Sequence, residues 1–446
     1  MYISRVRLEN IRGFHGARNV DLKLTRPDGS HAGWTVIAGR NGSGKTSLLR
    51  AIALTVSGPD VTRNLVSDFE SWISTSHSKG KAWIDLATEP TVDVVQQQQG
   101  GVGSASFETA LLWRAPEGSP TQSGAQPQIL VPSMADTVLN QGPWHTNPRG
   151  WFCAAYGPFR RLAGDAGDRK TPSRVARLLS LFDEDFSLAD GIDWLIGQHL
   201  RALEGNSSAV DLKESALRIL ADGLLPDDYQ VCSISSEGLW VRVAGREFPL
   251  REMSDGYRTV AALVVDIMKQ LYLAYGELSA NLTGAVPVIT APGVVLIDEV
   301  DAHLHVSWQK RIGEWLKAHF PNIQFIVTSH SPYVCQAADP GGLIRLPGPE
   351  EETPPQVVEQ DLYARIVYGS GDDAALSELF GLDSPYSERA EELRRQLVRL
   401  EMAVLGGEAD DDQIAEYRRL RSLLTSSMMA RTDEVAARLM SRGAIE

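Results

Sequence analysis

Eight consecutive residues, Gly39-Arg40-Asn41-Gly42-Ser43-Gly44-Lys45-Thr46, have the types and spacing of a phosphate cradle. The glycines let backbone N–H groups curl around an anion, which then meets the positive end of the helix that follows. Lys45 adds a mobile positive charge for terminal phosphates, and the Thr46 hydroxyl is a ligand for Mg2+. The pattern G-x-x-x-x-G-K-T has meaning only between a strand and a helix. Both flanks comply: apolar residues 34–38 lead in, and Ser47-Leu48-Leu49-Arg50-Ala51-Ile52 lead out. Asn41, Gly42, Ser43, Gly44, Lys45, Thr46 and Ser47 are expected to bind a nucleoside triphosphate, which the resemblance described below makes ATP.

A second group of residues suits hydrolysis. The apolar run 293–297 ends in Asp298-Glu299, and a carboxylate at the C-terminal end of a buried parallel strand lies where α/β sheets bind ligands. Asp298 is expected to bind Mg2+ and Glu299 to polarise the attacking water. His330 ends the next apolar run, 326–329, in reach of a terminal phosphate. His303 and His305 alternate without a third ligand nearby and read as structural. Met253-Ser254-Asp255-Gly256-Tyr257-Arg258 opens a helical run, so Ser254 and the Gly256 amide form a helix-terminal anion site.

These groups need strands and helices to hold them. Alternation predicts a half-exposed strand over residues 2–9 and another over 20–24. Short strands are expected at 81–86, 92–95 and 107–113, between loop-rich segments that include Gln96, Gly100, Gly101 and residues 115–128. Helices are expected over 172–204, 211–220, 254–275 and 308–319, with a hairpin at 239–250 and a buried strand at 323–328. The tail repeats Ala390, Leu393, Leu397, Leu400 and Val404, breaks at Gly406-Gly407, and resumes at Ile414, which predicts an antiparallel helical hairpin. That hairpin either closes a domain or docks a partner.

Composition limits the partners. The chain has 446 residues and a formal net charge of −14, from 57 acidic and 43 basic residues. Whole-surface attraction to nucleic acid is thereby excluded, and any DNA contact must use a local patch. The one basic run is Arg160, Arg161, Arg169, Lys170, Arg174 and Arg177; it is either a phosphate-contacting patch or a solvated helix face. Three isolated cysteines have neither disulfide nor zinc spacing. No apolar run approaches the roughly 20 residues of a membrane span, and the start lacks a signal-peptide pattern. A cytoplasmic protein without membrane contact is expected.

Four features together resemble the ABC-type ATPases, and within them the soluble SMC, RecF and OLD branch. They are Leu8-Glu9-Asn10-Ile11-Arg12-Gly13-Phe14, the phosphate loop, Ser254-Asp255-Gly256-Tyr257-Arg258, and Glu299-Val300-Asp301-Ala302-His303-Leu304-His305. The resemblance implies an α/β fold: an ABC-type head with a mixed β-sheet and antiparallel β-subdomain, a helical insertion and a C-terminal helical hairpin. In sequence order it implies an N-terminal ATPase lobe (1–63), an insertion (64–234), a C-terminal ATPase lobe (235–345) and a helical region (346–446). It further implies a homodimer or higher homo-oligomer that sandwiches ATP, with Ser254 and Gly256 capping the γ-phosphate of the other subunit. Glu299 would be the base, His330 the γ-phosphate sensor and Lys45 the third catalytic group, with Asp301 coupling the sites and Arg12 near the nucleotide. Met253 replaces the usual leucine, and the nearest counterpart of the glutamine-bearing loop, Tyr156-Gly157-Pro158-Phe159-Arg160-Arg161, has no glutamine.

Tyr156-Gly157-Pro158-Phe159-Arg160-Arg161 and Phe380-Gly381-Leu382-Asp383-Ser384 are also similar to stand-alone bacterial defence ATPases. These include the ATPase of Septu-type anti-phage systems, which works with a separate HNH nuclease. The expected function is a nucleotide-dependent switch or clamp acting with a separate effector, a nuclease or toxin, with DNA as a candidate ligand. The alternatives are a self-contained RecF-like repair ATPase and a low-turnover ATP-bound scaffold. A transporter subunit is disfavoured by Ser254-Asp255-Gly256-Tyr257-Arg258 standing in place of L-S-G-G-Q.

Overall fold

Strands Gly293–Ile297 and Ile323–Ser329 contain no exposed residue, as expected of runs too apolar to face water on either side. They are neighbouring interior strands of a six-stranded sheet in a computed structural model that describes residues 1–95, 106–116, 127–131, 136–160, 173–225, 228–382 and 384–424. The spatial order is Gln356–Val357, Leu343–Arg345, Gly33–Ala38, Ile323–Ser329, Gly293–Ile297, Cys153–Tyr156. All neighbours run parallel except the edge strand Gln356–Val357. Strands far apart in sequence thus share one sheet, and the edge strand Cys153–Tyr156 comes from the expected insertion.

Alternate residues of strand Gly293–Ile297 feed two cores. Val295 and Ile297 pack on one side with the long helix Asp255–Tyr275. Val294 and Leu296 pack on the other with the helix Lys45–Ser57 and a five-stranded antiparallel sheet. That sheet runs Val20–Lys23, Tyr2–Glu9, Lys79–Ala87, Ser106–Arg114, Gln128–Leu130. One fully buried side chain, Gln324, joins the two sheets: its Oε1 accepts the Ile3 N–H at 2.7 Å, and its Nε2 donates to the Ile3 carbonyl at 2.8 Å. Ile3 needs these bonds because the pairing of its strand with Lys79–Ala87 shifts register between Ile3 and Arg5.

The mixed core sheet, antiparallel subdomain, helical insertion and C-terminal hairpin expected from sequence are all present. Local expectations fared unevenly. Residues 92–95 form no strand, because Asp93 closes a turn with its N–H on the Glu89 carbonyl and a carboxylate that accepts the N–H groups of Glu89 and Trp151. The expected helix 172–204 is divided into Ser173–Ala176, Leu179–Phe182 and Ala189–Leu203. Asp183 interrupts it by accepting the Asp185 N–H, a local turn that competes with the helix. The hairpin Gly238–Val243 and Arg246–Pro249 has a third partner, Gln230–Ser235. Of the expected loop-rich segments, Gln96, Gly100, Gly101 and residues 117–126 lie outside the described residues.

Two compact units divide at Gly381 and Leu382. The second contains helices Glu388–Gly406 and Asp411–Leu423, capped by Ser387 and by an Asp410–Gln413 capping box. The turn between them starts with Gly407 at φ +72°, a left-handed helix end that glycine adopts freely. Among the described residues no helix is long and apolar enough to cross a membrane.

Gln324→Leu leaves the Ile3 N–H and carbonyl without partners in a dry interior, a cost of about 1–3 kcal/mol for each group. Urea unfolding of the variant is expected to show a lower midpoint with an unchanged slope; an unchanged midpoint would rule out this role.

Candidate functional site

The phosphate loop leaves strand Gly33–Ala38 and enters helix Lys45–Ser57 in a confined space. Gly44 sits at φ +99°, and a β-carbon there would come within 2.7 Å of the Phe14 ring. A β-carbon on Gly39 would meet the Leu346 carbonyl at 2.7 Å. Glycine is required at both positions by close approach, and at Gly44 also by the backbone conformation. Arg18, buried beside the loop, fixes it further: it donates to the carbonyls of Ser43 (3.4 Å), Pro347 (3.2 Å), Glu351 (3.0 Å) and Gly348. Nothing in the sequence distinguishes Arg18 from a surface arginine.

Lys45 is buried, and its ammonium donates to the loop carbonyls of Gly39 at 2.8 Å and Arg40 at 3.1 Å. Burial lowers its pKa, against the pull of Asp298, Glu299 and Asp301. The Thr46 hydroxyl donates to Asp298 Oδ2 at 2.7 Å. Thr328 serves both acidic residues, donating to Asp298 Oδ1 at 2.5 Å and accepting the Glu299 N–H at 2.7 Å. A hydroxyl and a carboxylate in contact beside a phosphate loop are a donor set that fits Mg2+, which takes one or two protein ligands and completes its shell with phosphate and water. Thr46 and Asp298 are the residues that would hold it.

Glu299 is half-buried in a left-handed conformation, φ +44°. Its carbonyl accepts from Ala302 N–H at 2.8 Å and from Arg160 Nη2 at 2.6 Å. Asp301 accepts the His330 N–H in a long contact of 3.4 Å. Burial, and then the Lys45 charge, push the His330 imidazole below its usual range, which keeps it neutral near pH 7. Arg12 approaches the start of the loop helix, with Nη1 donating to Ser47 Oγ at 3.3 Å and its guanidinium 4.8 Å from the Trp72 ring centre. Ser43 is buried, with a hydroxyl that has no partner among the described residues, and Asn41 and Gly42 are exposed on the loop.

The remaining pair stands apart from the loop. Ser254 is exposed at the N-terminus of helix Asp255–Tyr275 and does not cap it with its own hydroxyl. A β-carbon on Gly256 would lie 2.5 Å from the His303 carbonyl, so this glycine packs the signature turn onto the loop that follows Glu299. Among the described residues neither Ser254 nor Gly256 bonds to the phosphate loop. His305 caps the short helix Val306–Gln309 by accepting the Ser307 N–H.

The three described members of the basic run, Arg160, Arg174 and Arg177, form no surface patch. Arg160 and Arg177 are 2% and 7% exposed. Arg174 spends its guanidinium on the carbonyls of Ser57, Pro143, Trp144 and His145 at 2.7–3.1 Å. Burial lowers the pKa of Arg160 and of Arg174 to about 10. Both readings of the run, phosphate contact and solvated helix face, are therefore corrected for these three residues. Arginines so far inside are recruited by unpaired carbonyls, a demand that appears only when the chain is folded. Arg161, Arg169 and Lys170 lie outside the described residues.

Two family models match the chain: "AAA domain, putative AbiEii toxin, Type IV TA system" over residues 202–336 and "AAA domain" over residues 5–105. The chain is 27% identical to "Septu protein PtuA" of Bacillus mycoides (strain KBAB4) over 331 residues, which is 74% of this chain and 38% of that protein. It is 47% identical to "Retron Ec83 probable ATPase" of Escherichia coli over 88 residues, 20% of this chain and 15% of that protein. The alignments thus span less than half the length of either relative. Among solved structures, the "SMC head domain from Thermotoga maritima" aligns with 80% of this chain and 100% of its own at 15% identity and a TM-score of 0.42.

Arg174→Ala should lower stability by about 2–4 kcal/mol, because it strands carbonyls that a charged donor now serves. DNA affinity, measured across a salt series, should not change; a flattened salt slope would restore the patch.

The chain is thus similar to the Septu and retron proteins, and its phosphate loop and signature turn fall within the two stretches that AAA-domain models match.

Proposed function

We propose that the protein binds and hydrolyses ATP as a nucleotide-dependent switch in anti-phage defence, pairing head to tail with a second copy and controlling a separate effector such as a nuclease. The carrying observation is the hydrogen-bonded series Thr46–Asp298–Thr328–Glu299, which aligns two acidic residues with the phosphate loop.

Each residue then has a role that its position supports. Lys45 exchanges the Gly39 and Arg40 carbonyls for the terminal phosphates, and the loop amides hold the rest of the triphosphate. Mg2+, when bound by Thr46 and Asp298, supplies neutralisation of charge on the phosphate oxygens. The Glu299 carboxylate orients the attacking water and takes its proton. His330, neutral at working pH, donates an N–H to the γ-phosphate and reports its presence. Arg12 adds charge at the rim of the site. Ser254, exposed and with a hydroxyl that does not cap its own helix, can meet the phosphate of a second copy, with Gly256 behind it. Asp301, touching the His330 backbone, couples one site to the other. Anti-phage action and a separate effector are read from the Septu and retron relatives. A direct DNA contact has no support from the buried arginines.

Glu299→Gln is expected to keep ATP affinity, lower kcat by about 10²–10⁴-fold and accumulate as a dimer in ATP, seen by size-exclusion chromatography with light scattering. Turnover at the normal rate would remove Glu299 from the base role, and a size indifferent to ATP would remove the switch.

A further inference from the structure

The strained turn that carries Glu299 is held by a buried cation, Arg160, through its backbone carbonyls. A non-glycine residue in the left-handed region is strained by its β-carbon and persists only when its surroundings over-determine it. Here they do. The Glu299 N–H is bound by Thr328 Oγ1, the Val300 N–H by the Thr328 carbonyl at 3.0 Å, and the Glu299 carbonyl by the Ala302 N–H and Arg160 Nη2. Arg160 Nη1 reaches the Val300 carbonyl at 3.5 Å, so one guanidinium spans two successive carbonyls of the turn.

Arg160 is unusual in its own right. It is 2% exposed and left-handed at φ +30°. It feels the charges of Asp298, Glu299 and Asp301, yet none of them is its ion-pair partner among the described residues, and its Nε is buried without a hydrogen bond. A buried cation normally takes a carboxylate; this one is spent on backbone carbonyls beside three carboxylates. It follows strand Cys153–Tyr156, whose last carbonyl accepts the Asp298 N–H at 2.8 Å, so one strand end supports both acidic residues.

Resting on the ATPase reading above, we infer that Arg160 is a positioning residue for hydrolysis: it holds Glu299 in the left-handed turn that aims its carboxylate, and it takes no part in binding the nucleotide. Without it the turn relaxes while Lys45 and Thr46 keep their places, so kcat falls and nucleotide affinity does not.

The test uses the full chain as wild type, Arg160→Met, Arg160→Lys and Glu299→Gln. A fluorescent ATP analogue with Mg2+ gives Kd, and phosphate release gives kcat. Arg160→Met should keep Kd within about twofold and lose at least about tenfold in kcat. Arg160→Lys, which keeps the charge but reaches one carbonyl, should recover part of the loss. A kcat of Arg160→Met within about twofold of wild type, or a Kd that rises in step with the fall in kcat, would overturn the inference. If thermal melting shows that Arg160→Met does not fold, Arg160→Lys decides: reduced kcat at unchanged Kd supports the inference, and wild-type kcat overturns it. Absence of wild-type turnover, or normal turnover by Glu299→Gln, would overturn the ATPase reading and this inference together. Turnover blocked by Glu299→Gln but indifferent to Arg160 would overturn the inference alone.

Discussion

At the end of strand Ile323–Ser329 the Thr328 hydroxyl donates to Asp298 and accepts the Glu299 N–H, so one buried oxygen fixes two adjacent acidic residues. The arrangement depends on register. Ile297 pairs with Val327 in the parallel sheet, which brings residues 298 and 328 side by side as both strands end. A slip of one residue would turn Thr328 to the opposite face and leave Asp298 without its partner. The apolar residues that fill both faces of these strands therefore do more than supply a core, because their burial makes the slip prohibitive.

The same sheet carries the site's other attachments. The phosphate loop leaves the neighbouring strand Gly33–Ala38 and is pressed between Phe14, from the connection that follows strand Tyr2–Glu9, and the chain after Leu343–Arg345. Gln324 joins the two sheets one turn of pleat from the strand's start. On the opposite face, the Tyr156 hydroxyl donates to Asp266 at 2.9 Å, in the middle of the helix that begins at the signature turn. Burial raises the pKa of Asp266, so the bond is made in a dry interior where polar partners matter most. Tyr156 thus touches Asp298 through its backbone and the signature helix through its side chain.

Three buried arginines, Arg18, Arg160 and Arg177, and the half-buried Arg174 divide the labour in a protein whose net charge is −14. Three of them donate to backbone carbonyls in turns and loops, where regular ladders give no partner. Arg177 instead lies 5.6 Å from the Phe152 ring centre. A guanidinium serves such places well because its donors point in several directions and its charge is weakly hydrated. Loop geometry around the phosphate loop and around Glu299 rests on these cations.

The sequence by itself determined the motifs and their flanks. The phosphate loop between strand and helix, the carboxylates at the end of a doubly buried strand, the signature turn at a helix start and the tail hairpin were all legible, since each is spelled by neighbouring residues. Turns built by side chains, such as those at Asp93 and Asp183, were misread because propensity counts residue types and not the bonds that one carboxylate makes. Only the tertiary structure decided which distant groups meet: Thr46 with Asp298, Gly256 with His303, Arg160 with the Glu299 turn. It also decided that Arg160, Arg174 and Arg177 turn to interior partners, because charge pattern records how many arginines lie close in sequence and says nothing of the carbonyls that call them inside.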